Sequence, residues 1–555
     1  MKRKFIVLFA VMLALVTLCT SCSTYEAPAE TVAPVATPKP LEAQSDPSDD
    51  GEDFEFLVSG AIADHMVFQR NKYINVYGTS DKVGGIVYAD FKGETRWAEV
   101  DENGQWLIQF NAQEASKDPV ELVVYNKAQG ADKGVKFEDI LIGDVWMVAG
   151  QSNAQIALAG TFENNPEFKD TIKDDDNIRV FAQFYWDWVG TYFEEGNDVY
   201  QVAIEKKEMV NPPENVTWQV ASSKVSTEVE NEDGTTDTVT SYAAENCTAI
   251  GYYFAKKVNE ETDIPIGIIQ APAGGAALHA FIPMDKDPKE SGLSSFKASD
   301  VYNCLMAPFA KTNIAGMLWY QGEANESAYY SYAAELKEFI GYMREIWGEN
   351  LPFYNVQITS HATPADVQWP NIQEIRFEQA ELVTVADNKK EVAPLDNYYV
   401  VGTLDCGSNE LDTDWAHPKN KKPVGDRLAY VALAQYYGIE KFALEQYGSP
   451  IVAKVEISGD EADVYFKYVG EGLKTADGSD MVTGFFSKSA GQELEAEITG
   501  DNCVTVKLVD RNGNSITGED FRLVYGHSAT TDNCNLQNSN GIGAAAFAYT
   551  YYVNP

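Results

Sequence analysis

The fold is decided by the stretch Gly143–Leu158, GDVWMVAGQSNAQIAL. An apolar run suited to a buried strand stops abruptly at Gly150-Gln151-Ser152-Asn153, and a helix-compatible segment follows. Such a strand-to-helix corner is a unit of an α/β sheet, and this one carries a small hydroxyl. Working outward, four more apolar runs resemble it: IPIGIIQAP, IAGMLWYQG, LPFYNVQIT and NYYVVGTLD. Between them, Ile250, Phe254 and Val258 fall on one helical face, as do Leu336, Ile340, Met343 and Trp347. Strands alternating with amphipathic helices predict an open parallel sheet covered on both sides.

On either side of this region the period changes from helical to two. Short alternating runs, YINVYG, GGIVYADF, RWAEV and QWLIQF, with Asn103-Gly104 as a hairpin signal, predict an N-terminal β domain over 58–139. The α/β region spans 140–440, interrupted by an irregular insertion at about 187–245 whose acidic EVENEDGTTDTVT reads as a solvent loop. IVAKVEI, ADVYF and CVTVKLV predict a C-terminal β domain over 447–555.

Residues 1–22 read as an export signal: Lys2, Arg3 and Lys4 precede an apolar run too short to span a bilayer in the usual way. Leu18-Cys19-Thr20-Ser21-Cys22 resembles a bacterial lipobox, although Cys19 replaces the usual aliphatic residue. The expected location is the cell surface, with a lipid anchor on Cys22; plain secretion is the alternative. Residues 23–57, acidic and rich in Pro, predict a disordered spacer. Of seven cysteines, the five beyond Cys22 are scattered without zinc spacing, so no metal and no disulfide is assigned. A formal net charge of -42 repels phosphate backbones and excludes nucleic acid as a partner. The sequence does not fix an oligomeric state.

In a parallel sheet, ligands bind at the carboxyl ends of the strands. Those ends carry Ser152, then Gly274-Gly275, then Gln321-Gly322-Glu323-Ala324-Asn325, and finally Asp412 and Asp414 ahead of His417. Together they supply a nucleophile, flexible backbone amides, carboxamides, an acid and a base, which are the parts of a serine esterase. Each also has a plain structural role open to it. Ser152 could cap a helix, the glycines could permit a turn, the third segment could be a solvated loop, and His417 could make a structural hydrogen bond. Their joint occurrence in this chain order favours the catalytic reading.

The segments DVWMVAGQSN, IGIIQAPAGG, WYQGEAN and HPKNKKPVGDRLA resemble the successive blocks of the SGNH (GDSL-type) hydrolases, in particular the sialate O-acetylesterase-like branch. DHMVFQR, MAPFAKTNIAGMLWYQGE and CNLQNSNGIGAAAF extend the resemblance from about Gly60 to Phe547. It implies a three-layer α/β/α catalytic domain flanked by the two β domains. By position it implies Ser152 as nucleophile and oxyanion donor, Gly274 as a second donor with Gly275 as alternative, His417 as base and Asp414 as acid. The third block departs from the superfamily, because Ala324 stands two residues after the glycine where an asparagine is usual. Gln321 or Asn325 must then supply the side-chain donor, and Gln321 is preferred. Asn153-Ala154, where the branch commonly has Asn-Met, bears on the acyl pocket.

The resemblance implies carbohydrate O-deacetylation through an acetyl-enzyme, with no metal or organic cofactor. Anionic acetylated sugars would approach a chain of charge -42 against its mean field, which points to a neutral glycan such as acetylxylan fragments. Two rivals stand beside this reading. A non-catalytic glycan-binding surface lipoprotein would not need nucleophile, acid and base together. An α/β-hydrolase would expect Gly-x-Ser-x-Gly, and Ala154 occupies the last position.

Overall fold

The structure is a computed structural model, and it describes residues 37–48, 51–192, 212–213, 216–230, 236–289, 291–361, 370–389, 394–407, 416–531 and 533–553. The export signal, Cys22, Asp412 and Asp414 lie outside the described residues.

Seven strands form the central sheet: β1 (Val135–Gly150), β2 (Ile178–Phe181), β3 (Trp218–Val220), β4 (Ile266–Pro272), β5 (Gly316–Tyr320), β6 (Phe353–Val356) and β7 (Tyr398–Val401). Their spatial order is β3-β2-β4-β1-β5-β6-β7, parallel throughout except for β3 at the edge. All five expected runs are strands of this sheet, whereas NIRVF in β2 is too short and too charged at Arg179 to stand out in sequence. Among the helices of the region are α1 (Ser152–Gln155), α2 (Ala249–Thr262), α3 (Tyr332–Trp347), α4 (Ile372–Glu381) and α5 (Lys422–Gln435).

Alternation along the strands sends side chains to two helical layers. Trp146 packs edge-on against Phe254 of α2, with ring centroids 4.9 Å apart. On the other face Trp319 lies 4.7 Å from Phe339 of α3 and 5.0 Å from Phe281. All of these rings are fully buried, and burying a side chain such as Phe339 stabilises the fold by about 1.5–3 kcal/mol. The outcome is the α/β architecture expected.

The flanking β regions are joined to this sheet more closely than their sequence suggests. β1 is 16 residues long, and the boundary expected between 139 and 140 falls inside it. Its first half pairs with the strands Ser116–Asn126 and Val67–Gln69, and its second half runs through the central sheet. Asp144 on β1 is fully buried and accepts from Gln69 Nε2 (2.7 Å), Arg70 Nε (2.9 Å) and the Tyr436 hydroxyl (3.0 Å), tying the N-terminal strands to the α/β layers. On the other side, Glu374 of α4 pairs with Lys488 and Arg522 of the C-terminal β region, at 2.8 Å each.

Two expectations need correction. Within the spacer, residues 37–48 lie along the N-terminal sheet, where Gln44 bonds both the N–H and the carbonyl of Trp97, at 3.0 Å each. A polar, Pro-rich segment hides such pairing because a side-chain amide stands in for a strand backbone. The acidic insert, expected as a loop, forms a hairpin of Lys224–Glu230 with Thr236–Tyr242, and Trp218–Val220 adds β3 to the sheet. Its Thr and Val positions support strand pairing despite the charge between them.

Candidate active site

The corner after β1 is built by close backbone approach. Gly150 has φ 139°, and a Cβ there would lie 2.1 Å from the Tyr320 carbonyl oxygen, so only glycine fits. The Gln151 amide donates to that same carbonyl at 3.0 Å, which presses the end of β1 against the end of β5. Ser152 then opens α1 with its side chain half-buried, and the hydroxyl lies 2.7 Å from His417 Nε2.

The two side chains that flank Ser152 in the chain, Gln151 and Asn153, organise the rest. Gln151 Oε1 accepts from the Ala324 amide at 3.1 Å and from Gln321 Nε2 at 3.3 Å, holding the loop after β5. Asn153 Nδ2 donates to Glu323 Oε1 at 2.7 Å and to the Ala416 carbonyl at 3.0 Å, while its Oδ1 accepts from Lys421 Nζ at 2.5 Å. Asn153 therefore bridges a buried carboxyl, a buried ammonium and the residue before His417. The signal was adjacency to Ser152, but spacing alone gives no partner.

Glu323 is a buried carboxyl rather than part of a solvated loop. Its Oε2 is buried and has no hydrogen-bond partner among the described residues. Burial raises its pKa above the usual carboxylate value, against the Asn153 hydrogen bond and the positive charge of Lys421.

The two carboxamides compared in sequence are placed differently. Gln321 is fully buried and engaged at both ends: Oε1 accepts from the Tyr332 hydroxyl at 2.9 Å, and Nε2 donates to Asn325 Oδ1 at 2.8 Å and the Ala276 carbonyl at 3.2 Å. The Gln321 preference therefore conflicts with its hydrogen bonding, because no donor is left to face a ligand. Asn325 Oδ1 accepts from Gln321 Nε2 and from the Leu278 amide at 3.0 Å, and no hydrogen bond engages its Nδ2 among the described residues. Gly274 lies against Ser152: a Cβ on it would be 3.6 Å from Ser152 Cβ. Its amide donates to Gln155 Oε1 at 2.6 Å. Gly275 has φ 80° and open space around it.

Of the aspartates near His417, Asp405 is committed elsewhere, with Oδ1 and Oδ2 accepting from Arg427 Nη1 and Nη2 at 2.6 and 2.7 Å. The guanidinium lowers the Asp405 pKa although burial raises it. Asp414 and Asp412 lie outside the described residues.

Ser152, His417, Gly274 and Asn325 thus lie at the carboxyl ends of β1, β4 and β5 and on the segment after β7. The carbohydrate esterase family described as sialic acid-specific acetylesterase matches residues 142–430, more than half of the chain. The chain belongs to this family of carbohydrate esterases. The likeness read from the sequence blocks is thereby borne out. Curated sialate O-acetylesterases of Pongo abelii and Homo sapiens are each 21% identical over 365 residues, covering 61% of this chain and 61% of theirs. The chain thus spans about three fifths of the length of these relatives. Among solved structures, a carbohydrate acetylesterase from Xanthomonas citri superposes with TM-score 0.67 at 23% identity, covering 89% of this chain and 99% of that one. At that identity the shared property is the fold, which extends through the flanking β regions of this esterase-family chain.

Proposed function

We propose that the protein is a serine esterase that removes O-acetyl groups from carbohydrates. The observation that carries this reading is the 2.7 Å contact between Ser152 Oγ and His417 Nε2 beside the Gly274 amide. His417 takes the Ser152 proton as Oγ attacks the ester carbonyl, then returns it to the departing sugar hydroxyl. Asp414, three residues before His417, orients the imidazole and stabilises its charged form. Water, deprotonated by His417, releases acetate from Ser152.

The amides of Ser152 and Gly274 and Asn325 Nδ2 hold the oxyanion. Asn325 takes this role rather than Gln321 because its oxygen end is anchored and its nitrogen end is not. Asn325→Ala is expected to lower kcat by about 100-fold with KM little changed, since a donor aimed at the transition state adds little to ground-state binding. Gln321→Ala should instead lower stability, through the loss of its buried contacts. A kcat loss confined to Gln321→Ala, measured on folded variants, returns the role to Gln321.

The preferred substrate is a neutral acetylated glycan. The lysines of the HPKNKK segment do not offer an open cationic patch: Lys419 faces Glu163 at 3.6 Å, Lys421 is buried on Asn153, and Lys422 pairs with Asp426. The mean field of a chain of charge -42 therefore stands at the cleft, opposing anionic sugars. Acetate release from acetylated xylo-oligosaccharides and from O-acetylated sialic acids is the test. Both should be hydrolysed, the neutral ones faster, and neither by Ser152→Ala. Neutral substrates left intact while sialic acids are cleaved would overturn the preference, and full turnover by Ser152→Ala would overturn the mechanism.

A further inference from the structure

We infer that Gln155 is a resting-state plug of the oxyanion site, a carboxamide oxygen held where the substrate's carbonyl oxygen must go. This rests on the reading of Gly274 as an oxyanion donor. Gln155 and Ser152 are three residues apart on α1 and so share a helical face. Gln155 Oε1 accepts from the Gly274 amide at 2.6 Å, a short contact for a neutral pair. A Cβ on Gly274 would lie 3.1 Å from that oxygen and 3.6 Å from Ser152 Cβ, so the carboxamide oxygen and the serine lie against the same glycine.

A single N–H donates well to one acceptor at a time, and an amide oxygen has the same planar geometry as an ester carbonyl oxygen. Substrate and plug therefore compete for Gly274. Gly274 is exposed and Gln155 half-buried, so the side chain can turn outward into the cleft when an ester enters. Until then, the amide stays aimed at the cleft.

Competition of this kind reduces the fraction of enzyme ready to bind, and apparent affinity falls by that fraction. A hydrogen bond of ordinary net strength corresponds to a factor of about 3 to 10. Gln155→Met, which keeps length and packing but has no comparable acceptor, should lower KM by about that factor with kcat changed less than twofold. Gln155→Glu gives a readout that a purely structural role would not move. Its carboxylate accepts the Gly274 N–H more strongly and repels the developing oxyanion, so kcat/KM should fall about 100-fold at alkaline pH. The deficit relative to wild type at the same pH should shrink as the carboxyl protonates.

Steady-state kinetics of the full-length variants, with thermal unfolding as a check on folding, decide the matter. An unchanged or higher KM in folded Gln155→Met, or a pH-independent deficit in Gln155→Glu, overturns the plug while Ser152→Ala remains inactive. If Ser152→Ala retains full activity, the underlying reading of the site has failed, and the plug with it.

Discussion

Replacing His417 by alanine is expected to lower kcat by about 10⁴-fold or more, the scale seen when a member of a serine triad is removed. The imidazole lies 2.7 Å from Ser152 Oγ, and neither His361 nor His279 offers a replacement. His361 is pushed down to about 3 by burial, and the nearby charges of Arg376, His417 and Lys421 push the same way, so it stays neutral in the protein interior. His279 sits between the Phe296 carbonyl and Ser291 Oγ, at 3.1 and 2.9 Å, fixing the loop beyond the second block. The acid should matter less than the base. With Asp414 as the proposed acid, Asp414→Asn favours the wrong tautomer, and a loss of about 10- to 1000-fold is expected. Asp405→Asn should leave kcat nearly intact and lower stability, because it weakens the bidentate pair with Arg427. Acetate release at saturating substrate distinguishes these cases. Substantial activity in folded His417→Ala, or a silent Asp414→Asn beside an inactive Asp405→Asn, would remove the assignment.

The Asp405–Arg427 pair shows what kind of information the sequence does not carry. Strands were legible because β1 and β4 to β7 are buried on both faces and need apolar residues at nearly every position. The Ser152 corner was legible because a strand that ends in Gly-Gln-Ser-Asn is a local event. The role of Asp405 is not legible in sequence because its partner, Arg427, lies 22 residues further on, and only the fold brings them together. Gln321 and Asn325 show the same limit at shorter range. Both are amides in one loop, and composition cannot tell that Gln321, directly after β5, turns inward beneath Tyr332 while Asn325 sits one turn later. The C-terminal β region was visible as alternating strands, yet not its attachment to the site. Arg376 of α4, fully buried, donates to the Ser528 and Ala529 carbonyls at 2.6 and 2.8 Å, and to the Ile358 and Thr359 carbonyls at 2.8 and 2.7 Å. Those contacts place the C-terminal region in the support of the segment after β6.

The largest expected loss of stability is for Asn153→Ala. Asn153 is the one neutral group between two buried ionisable side chains, and it satisfies Glu323 Oε1 and Lys421 Nζ at once. Alanine can do neither, and losing a hydrogen bond to a buried charged group costs about 1.5–3 kcal/mol. A loss of about 3 kcal/mol is therefore expected. Activity should fall too, because the same side chain donates to the Ala416 carbonyl and so tethers His417; a displacement of about 1 Å at a reacting group costs about 100-fold. The pH dependence separates this account from simple loss of packing. Burial already raises the Glu323 pKa, so its contribution to stability falls as pH rises from the ordinary carboxylate value toward the raised one. The Asn153 hydrogen bond opposes that rise, and removing it pushes the pKa higher still. The defect in Asn153→Ala should accordingly be smaller at about pH 5 than at about pH 8. Adding Glu323→Gln should recover part of the loss at the higher pH, since a neutral amide replaces the stranded carboxylate. Denaturant unfolding of the two single variants and the double variant measures the coupling. Equal losses at both pH values with strictly additive effects would mean that Asn153 acts only as a space-filling residue, and that Glu323 and Lys421 are held by other contacts.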